Sequence, residues 1–136
     1  VIILLDTDVL IDVALDRRPH AAAAAQLLDR LQQRPGSGFV AWHTVANFYY
    51  LVRPVRGGGD ARAFVVGLTR FVDVSPTTTD SLRRAAQLEM KDFEDAMQVA
   101  AAAACGADAI ATRNVRDYAK APVRAATPRA LLSEIE

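Results

Sequence analysis

Short apolar runs that stop at a polar residue alternate along this chain with longer amphipathic or alanine-rich stretches. Val1-Ile2-Ile3-Leu4-Leu5 stops at Asp6, and a β-branched and leucine run of this length predicts a buried strand of a parallel sheet. Asp8 to Leu15 reads as a helix with Thr7 or Asp8 as N-cap. Arg17-Arg18-Pro19-His20 interrupts the pattern before a second helix over Ala21 to Gln33, favoured by five successive alanines. After the turn signal Pro35-Gly36-Ser37-Gly38, Phe39 to Trp42 predicts a second strand, and Thr44 caps a helix to about Val52. Arg53 to Asp60, with Pro54 and three successive glycines, reads as a mobile loop. A helix over Ala61–Thr69, a strand over Phe71–Val74 and a helix over Thr79–Leu88 follow. The pattern then gives a helix over 92–105, a strand over 107–111, an edge strand after Pro122 and a last helix from Pro128 to Ile135. Strand alternates with helix without linker or repeat, which predicts one α/β domain over residues 1–136. Its expected form is a three-layer α/β/α sandwich with a mainly parallel sheet.

That architecture gives the polar ends of the apolar runs a chemical meaning. Open parallel sheets bind ligands at the carboxyl ends of strands, where the strand order reverses. Asp6 and the segment Thr112-Arg113-Asn114-Val115-Arg116-Asp117-Tyr118 sit at such ends, and Asp95 lies on the helix beside them. Acids gathered at one sheet edge predict a site for a hard divalent cation. Each residue also has a plainer role. Asp6 can cap the following helix or form an Asx-turn, and Asp92 and Asp95 are spaced as an N-cap and a third helical position. Asp117 alone reads as a solvated turn residue, Asp12 as a polar helix position, and Asn47-Phe48-Tyr49-Tyr50 as a helix with an aromatic packing face.

Composition narrows the choice further. At 136 residues and 51% hydrophobic the chain can bury a real core, and sixteen acids balance sixteen bases, so no global field draws it to nucleic acid or membrane. One cysteine, Cys105, permits neither an internal disulfide nor a cysteine zinc site, and His20 and His43 are too far apart in sequence to suggest a histidine cage. No apolar run approaches a membrane span, and the first one is too short for a signal peptide and lacks a basic lead, so a soluble cytoplasmic protein is expected. Of the fourteen arginines, Arg17, Arg18, Arg53, Arg56, Arg113 and Arg116 fall in segments expected near the acidic edge, where they could hold phosphates.

Taken together, three segments resemble PIN domains, the metal-dependent ribonuclease fold used by the toxins of VapBC-type toxin–antitoxin pairs. Leu5-Asp6-Thr7-Asp8-Val9-Leu10-Ile11-Asp12 is similar to the opening motif of that family. Asp92-Phe93-Glu94-Asp95-Ala96 and the 112–118 segment are similar to its central and C-terminal motifs. The resemblance implies that Asp6, Asp95 and Asp117 are acidic ligands of Mg²⁺ or Mn²⁺ and the catalytic centre, with Thr112, Arg113 and Asn114 in supporting or substrate-binding positions. At the family's second ligand, usually Glu, this chain has Asn47, whose neutral amide coordinates a cation more weakly than a carboxylate. The resemblance further implies an RNA substrate, a homodimer and a small antitoxin partner.

Two rival readings have sequence features of their own. Asp6-Thr7-Asp8 also resembles the paired aspartates that open haloacid-dehalogenase-type phosphatases, but Leu10 departs from that pattern and no lysine and downstream Asp pair completes it. A degenerate PIN domain that binds RNA or a protein without cutting is the other, and Asn47 is its support. Dinucleotide binding lacks a G-x-G-x-x-G after the first strand.

Overall fold

The computed structural model of the protein describes residues 1–135. Five strands form one sheet in the order β3-β2-β1-β4-β5, every neighbouring pair parallel. They are β1 (Ile3–Leu5), β2 (Gly38–Val40), β3 (Val72–Val74), β4 (Ala109–Ala111) and β5 (Arg124–Ala126). The chain builds outward from β1 through β2 to β3, then returns to place β4 on the other side of β1. The strand order therefore reverses between β1 and β4, and the residues that follow them, Asp6 and Thr112, share that edge of the sheet.

Helices cover both faces, as predicted. Alternation along β1 divides the core: Ile3 and Leu5 face a cluster with Val9, Leu27, Phe48 and Leu131, whereas Leu4 faces Val99, Ala102 and Tyr118. The first side is built by α1 (Thr7–Ala14), α2 (Ala21–Gln32), α3 (Trp42–Arg56), α4 (Gly58–Leu68) and α7 (Pro128–Glu134). The second is built by α6 (Phe93–Cys105), with α5 (Thr79–Gln87) packed on it. The alanines of α6 let that helix lie close to the sheet. Ala96, Ala100, Ala101 and Ala102 are buried, and Gly106 ends the helix in the left-handed conformation at φ 69°.

Arg53–Asp60 corrects the sequence reading. Instead of a mobile loop, α3 runs on to Arg56 through Pro54, Gly57 turns the chain at φ 87°, and α4 starts at Gly58. Tertiary contacts order the segment: Phe48 stacks on Phe64 at 4.9 Å, Arg56 donates to the Ala14 carbonyl at 2.9 Å, and Arg53 lies over Tyr49 and Tyr50. Helix α3 also starts earlier than predicted, at Trp42, so Thr44 lies inside its first turn and not at its cap. Among the described residues no helix is long and apolar enough to cross a membrane.

Candidate active site

A cleft of about 500 Å³ opens at the edge where the strand order reverses, lined by Asp6, Thr7, Asp8, Arg17, Asn47, Tyr50, Glu94, Asp95 and Asn114, among others. Asp6 follows β1 in extended conformation and caps α1, so the capping role and the cleft position belong to the same side chain. Its Oδ1 accepts from the Thr7 N–H at 2.7 Å and from Gln98 Nε2 at 3.0 Å, and its Oδ2 accepts from the Tyr118 hydroxyl at 3.1 Å. Only 7% exposed, Asp6 is thereby fixed from β1, α6 and the turn after β4 at once. Gln98, wholly buried, donates also to Thr44 Oγ1 at 2.8 Å and so ties α6 to α3 behind the acid.

Asp95 stands on the first turn of α6, where Asp92 caps the helix by accepting from the Asp95 N–H at 3.0 Å. The Tyr118 hydroxyl lies 3.4 Å from Asp95 Oδ1, so a single phenol joins the carboxylates of the first and central motifs. That hydroxyl can donate its one proton to one acid at a time. Partial burial, followed by the charges of Asp92, Asp6 and Asp117, pushes the Asp95 carboxyl up to about 6. Glu94 is also shifted upward, by burial and by Asp6 and Asp92, with a hydrogen bond from Asn47 opposing the shift. The Tyr118 phenol is held far above its ordinary range by burial and by Asp6 and Asp95, so it stays protonated as a donor.

A second acid comes from the opening motif itself. Asp8 Oδ2 accepts from Thr112 Oγ1 at 3.2 Å, the Arg113 N–H at 3.0 Å and Asn114 Nδ2 at 3.1 Å. Burial and the nearby Asp6 push its carboxyl up to about 6 despite those donors. The segment 112–114 is clamped further by a bidentate pair: Arg113 Nε and Nη2 donate to Asp12 at 2.6 and 3.1 Å, with Asp12 only 1% exposed.

The structure thus distributes the sequence candidates unevenly. Asp6, Asp95, Asn47 and Asn114 line one cleft. Thr112 is fully buried and meets Asp8, while the guanidinium of Arg113 is committed to Asp12. Asp117 is exposed on the 3₁₀ turn Val115–Tyr118, outside the cleft lining yet close enough to raise Asp95 by its charge. Of the arginines expected at the edge, Arg17 lines the cleft, whereas Arg53 and Arg56 are used within the α3–α4 hairpin. Glu94, Gln98 and Tyr118 were not among the sequence candidates, and Asp8 entered only as the second aspartate of the rival phosphatase motif. For Gln98 a signal existed, a lone amide on the apolar face of an alanine helix.

The donors are all oxygens, which suits a hard cation of the Mg²⁺ or Mn²⁺ type. Two of them lack any partner in the structure although buried: Thr7 Oγ1 and Asp8 Oδ1. Among the described residues no three acidic, histidine or cysteine side chains are already gathered closely enough to cage a metal ion. The donor chemistry fits such an ion.

Comparison with known proteins agrees with this fold. The chain is similar to VapC20 of Mycobacterium tuberculosis, described as a sarcin–ricin loop cleaving toxin, at 18% identity over 86% of this chain and 93% of that one, with a TM-score of 0.69. It is also similar to VapBC2 of Rickettsia felis bound to a promoter DNA fragment, at 12% identity over 93% and 98% of the two chains, with a TM-score of 0.70. FitAB bound to the IR36 DNA fragment gives 19% identity over 93% and 95%, with a TM-score of 0.69. At such identities the likeness is one of fold. No curated protein sequence matches significantly. The PIN domain family model matches residues 2–116, which is most of the chain, and the protein therefore belongs to the PIN domain family.

Proposed function

We propose that the cleft is the active site of a divalent-metal-dependent endoribonuclease of the toxin type, using Mg²⁺ or Mn²⁺ on single-stranded or loop RNA. The observation that carries this reading is the pairing of Asp6 and Asp95 on one buried hydroxyl at the point of strand-order reversal. Membership of the PIN family supports it. Asp6 and Asp95 would hold the cation. Glu94, beside Asn47, brings a carboxylate to the region where that residue is neutral. Asp117 acts from further out, through its charge on Asp95. When bound, a divalent cation supplies activation of water and an offset to the charge on the leaving oxygen. The chain's own part is to hold the acids, through Gln98 and Tyr118, and to present Arg17 to a phosphate at the rim. No nucleophilic side chain is needed. The solved VapBC2 and FitAB complexes support extending an antitoxin partner to this chain, and the homodimer is carried only by the resemblance to PIN-type toxins.

A non-cutting PIN domain is the second reading, favoured by Asn47 and by acids that stand apart. Incubation of the purified protein with structured and unstructured RNA, with Mn²⁺ or with EDTA, separates the two. The nuclease reading expects cleavage of the unstructured RNA in Mn²⁺, lost in EDTA and lost in Asp95→Asn at an unchanged melting temperature. Cleavage undiminished by EDTA, or intact in Asp95→Asn, overturns the metal mechanism, and RNA binding without cleavage establishes the second reading.

A further inference from the structure

Asp8 carries an asymmetry that its hydrogen bonds within the protein leave unresolved. Its Oδ2 is saturated by three donors from the 112–114 segment, one of them a backbone N–H, which fix the carboxylate plane. Its Oδ1 is buried and has no partner at all. The neighbouring Thr7 hydroxyl, on a residue 7% exposed, is equally without a partner, and both residues line the cleft that contains Asp6 and Asp95. A buried carboxylate oxygen facing no donor, with Asp6 close by, is costly unless something positive comes to it. Were Asp8 only a clamp for the 112–114 segment, a neutral acceptor would serve the same three donors without that cost.

We propose that Asp8 is a further carboxylate of the cation site, its free Oδ1 directed to the divalent ion that the cleft takes up. The inference rests on the reading of the cleft as a cation site and adds a residue to it. Thr112, Arg113 and Asn114 are then positioning residues: they act through Asp8, turning one oxygen inward by occupying the other. That accounts for the buried Thr112 hydroxyl, which touches Asp8 and not the cleft.

Asp8→Asn isolates the charge, because its carbonyl oxygen can accept the same three hydrogen bonds while the amide nitrogen replaces Oδ1. Mn²⁺ titration by calorimetry and metal-free melting are to be measured for wild type, Asp8→Asn and Asp8→Ser. Expected are Mn²⁺ binding about 10–100-fold weaker than wild type and, for Asp8→Asn, a metal-free melting temperature equal to wild type or higher by a few degrees. Loss of affinity together with higher stability marks a charge kept for a ligand. Unchanged affinity in both variants overturns the inference and leaves Asp6 and Asp95 as the site. Lower stability of both variants without metal makes Asp8 a structural clamp and also overturns it. If wild type itself takes up no Mn²⁺, the cation reading of the cleft fails, and this inference with it.

Discussion

Replacing Arg113 by Met tests whether that arginine is a strut or a substrate contact. Its position after β4 and beside the acidic edge suggests a phosphate ligand, but the structure spends two of its three guanidinium nitrogens, Nε and Nη2, on Asp12. Asp12 is 1% exposed, so Arg113→Met would strand a carboxylate in the core of the α1 layer. Breaking a buried ion pair from one side costs about 3–5 kcal/mol. The Arg113 side chain is 28% exposed, so water can reach the stranded acid, which favours the lower end, about 3 kcal/mol. For a chain of this size that corresponds to a fall of roughly 10 °C in melting temperature. Adding Asp12→Leu to Arg113→Met removes both charges at similar volume and should restore stability to within about 1 kcal/mol of wild type, since the pair's own net contribution is small. Urea unfolding of the wild type, both single variants and the double variant in EDTA closes the cycle. RNA affinity of the double variant should stay within a few-fold of wild type. A stable Arg113→Met protein with sharply weakened RNA binding would refute the argument and return Arg113 to the substrate.

Two further outcomes follow from the charges in the cleft. Asp8 and Asp95 both titrate near 6 in the folded protein, against 3.8 unperturbed, so between about pH 4 and 6 the native state binds more protons than the unfolded one. Their contribution to the stability of the metal-free protein is therefore lost as pH rises through that window, by about 3 kcal/mol for Asp8 and much less for the more exposed Asp95. Melting in EDTA from pH 4.5 to 7.5 measures it, saturating Mn²⁺ should reverse the slope, and a carboxylate contribution that rises with pH in EDTA contradicts the shifts. Asn47→Glu would replace the amide that donates to Glu94 by a like charge. The expected result is a metal-free melting temperature lowered by about 3 °C, for a cost on the order of 1 kcal/mol, with Mn²⁺ bound tighter by up to about tenfold. Unchanged values of both would separate residue 47 from Glu94 and from the ion.

What could be read from the sequence depended on whether a residue's role is local. Asp6 and Thr112 were legible as positions because each follows a short apolar run, and parallel strands bring such ends together whatever the helices do. Asp95 was legible because it matches the acid of the resembled central motif while Asp92 occupies the cap. The α3–α4 hairpin was not: Pro54 and three glycines carry a strong local signal for a loop, and the contacts that override it, Phe48 with Phe64 and Arg56 with Ala14, join residues far apart in the chain. Asp12 reads as a polar point on an exposed helix face, yet α1 is buried on nearly all sides, and its partner lies about a hundred positions away. Tyr118 packs in the core, and only the fold shows that the hydroxyl at its tip reaches two acids.

The same residues explain how so many acids coexist at one edge in the folded chain. Asp6 is served by a backbone N–H, an amide and a phenol, Asp8 by three donors on a single oxygen, and Asp12 by a full guanidinium. Of these three, charge is neutralised outright at Asp12, which does not line the cleft, and the pair pins the segment that follows β4. At Asp6 and Asp8 the donors are neutral side chains or backbone, so orientation is fixed while negative potential survives. At Glu94 and Asp95 even that is thin, and their carboxyls, like that of Asp8, are pushed up toward neutrality. Donors that orient without cancelling charge are what a cation site requires of its protein, because a guanidinium at Asp6 or Asp8 would steady the acid equally well and leave nothing for a metal ion to bind.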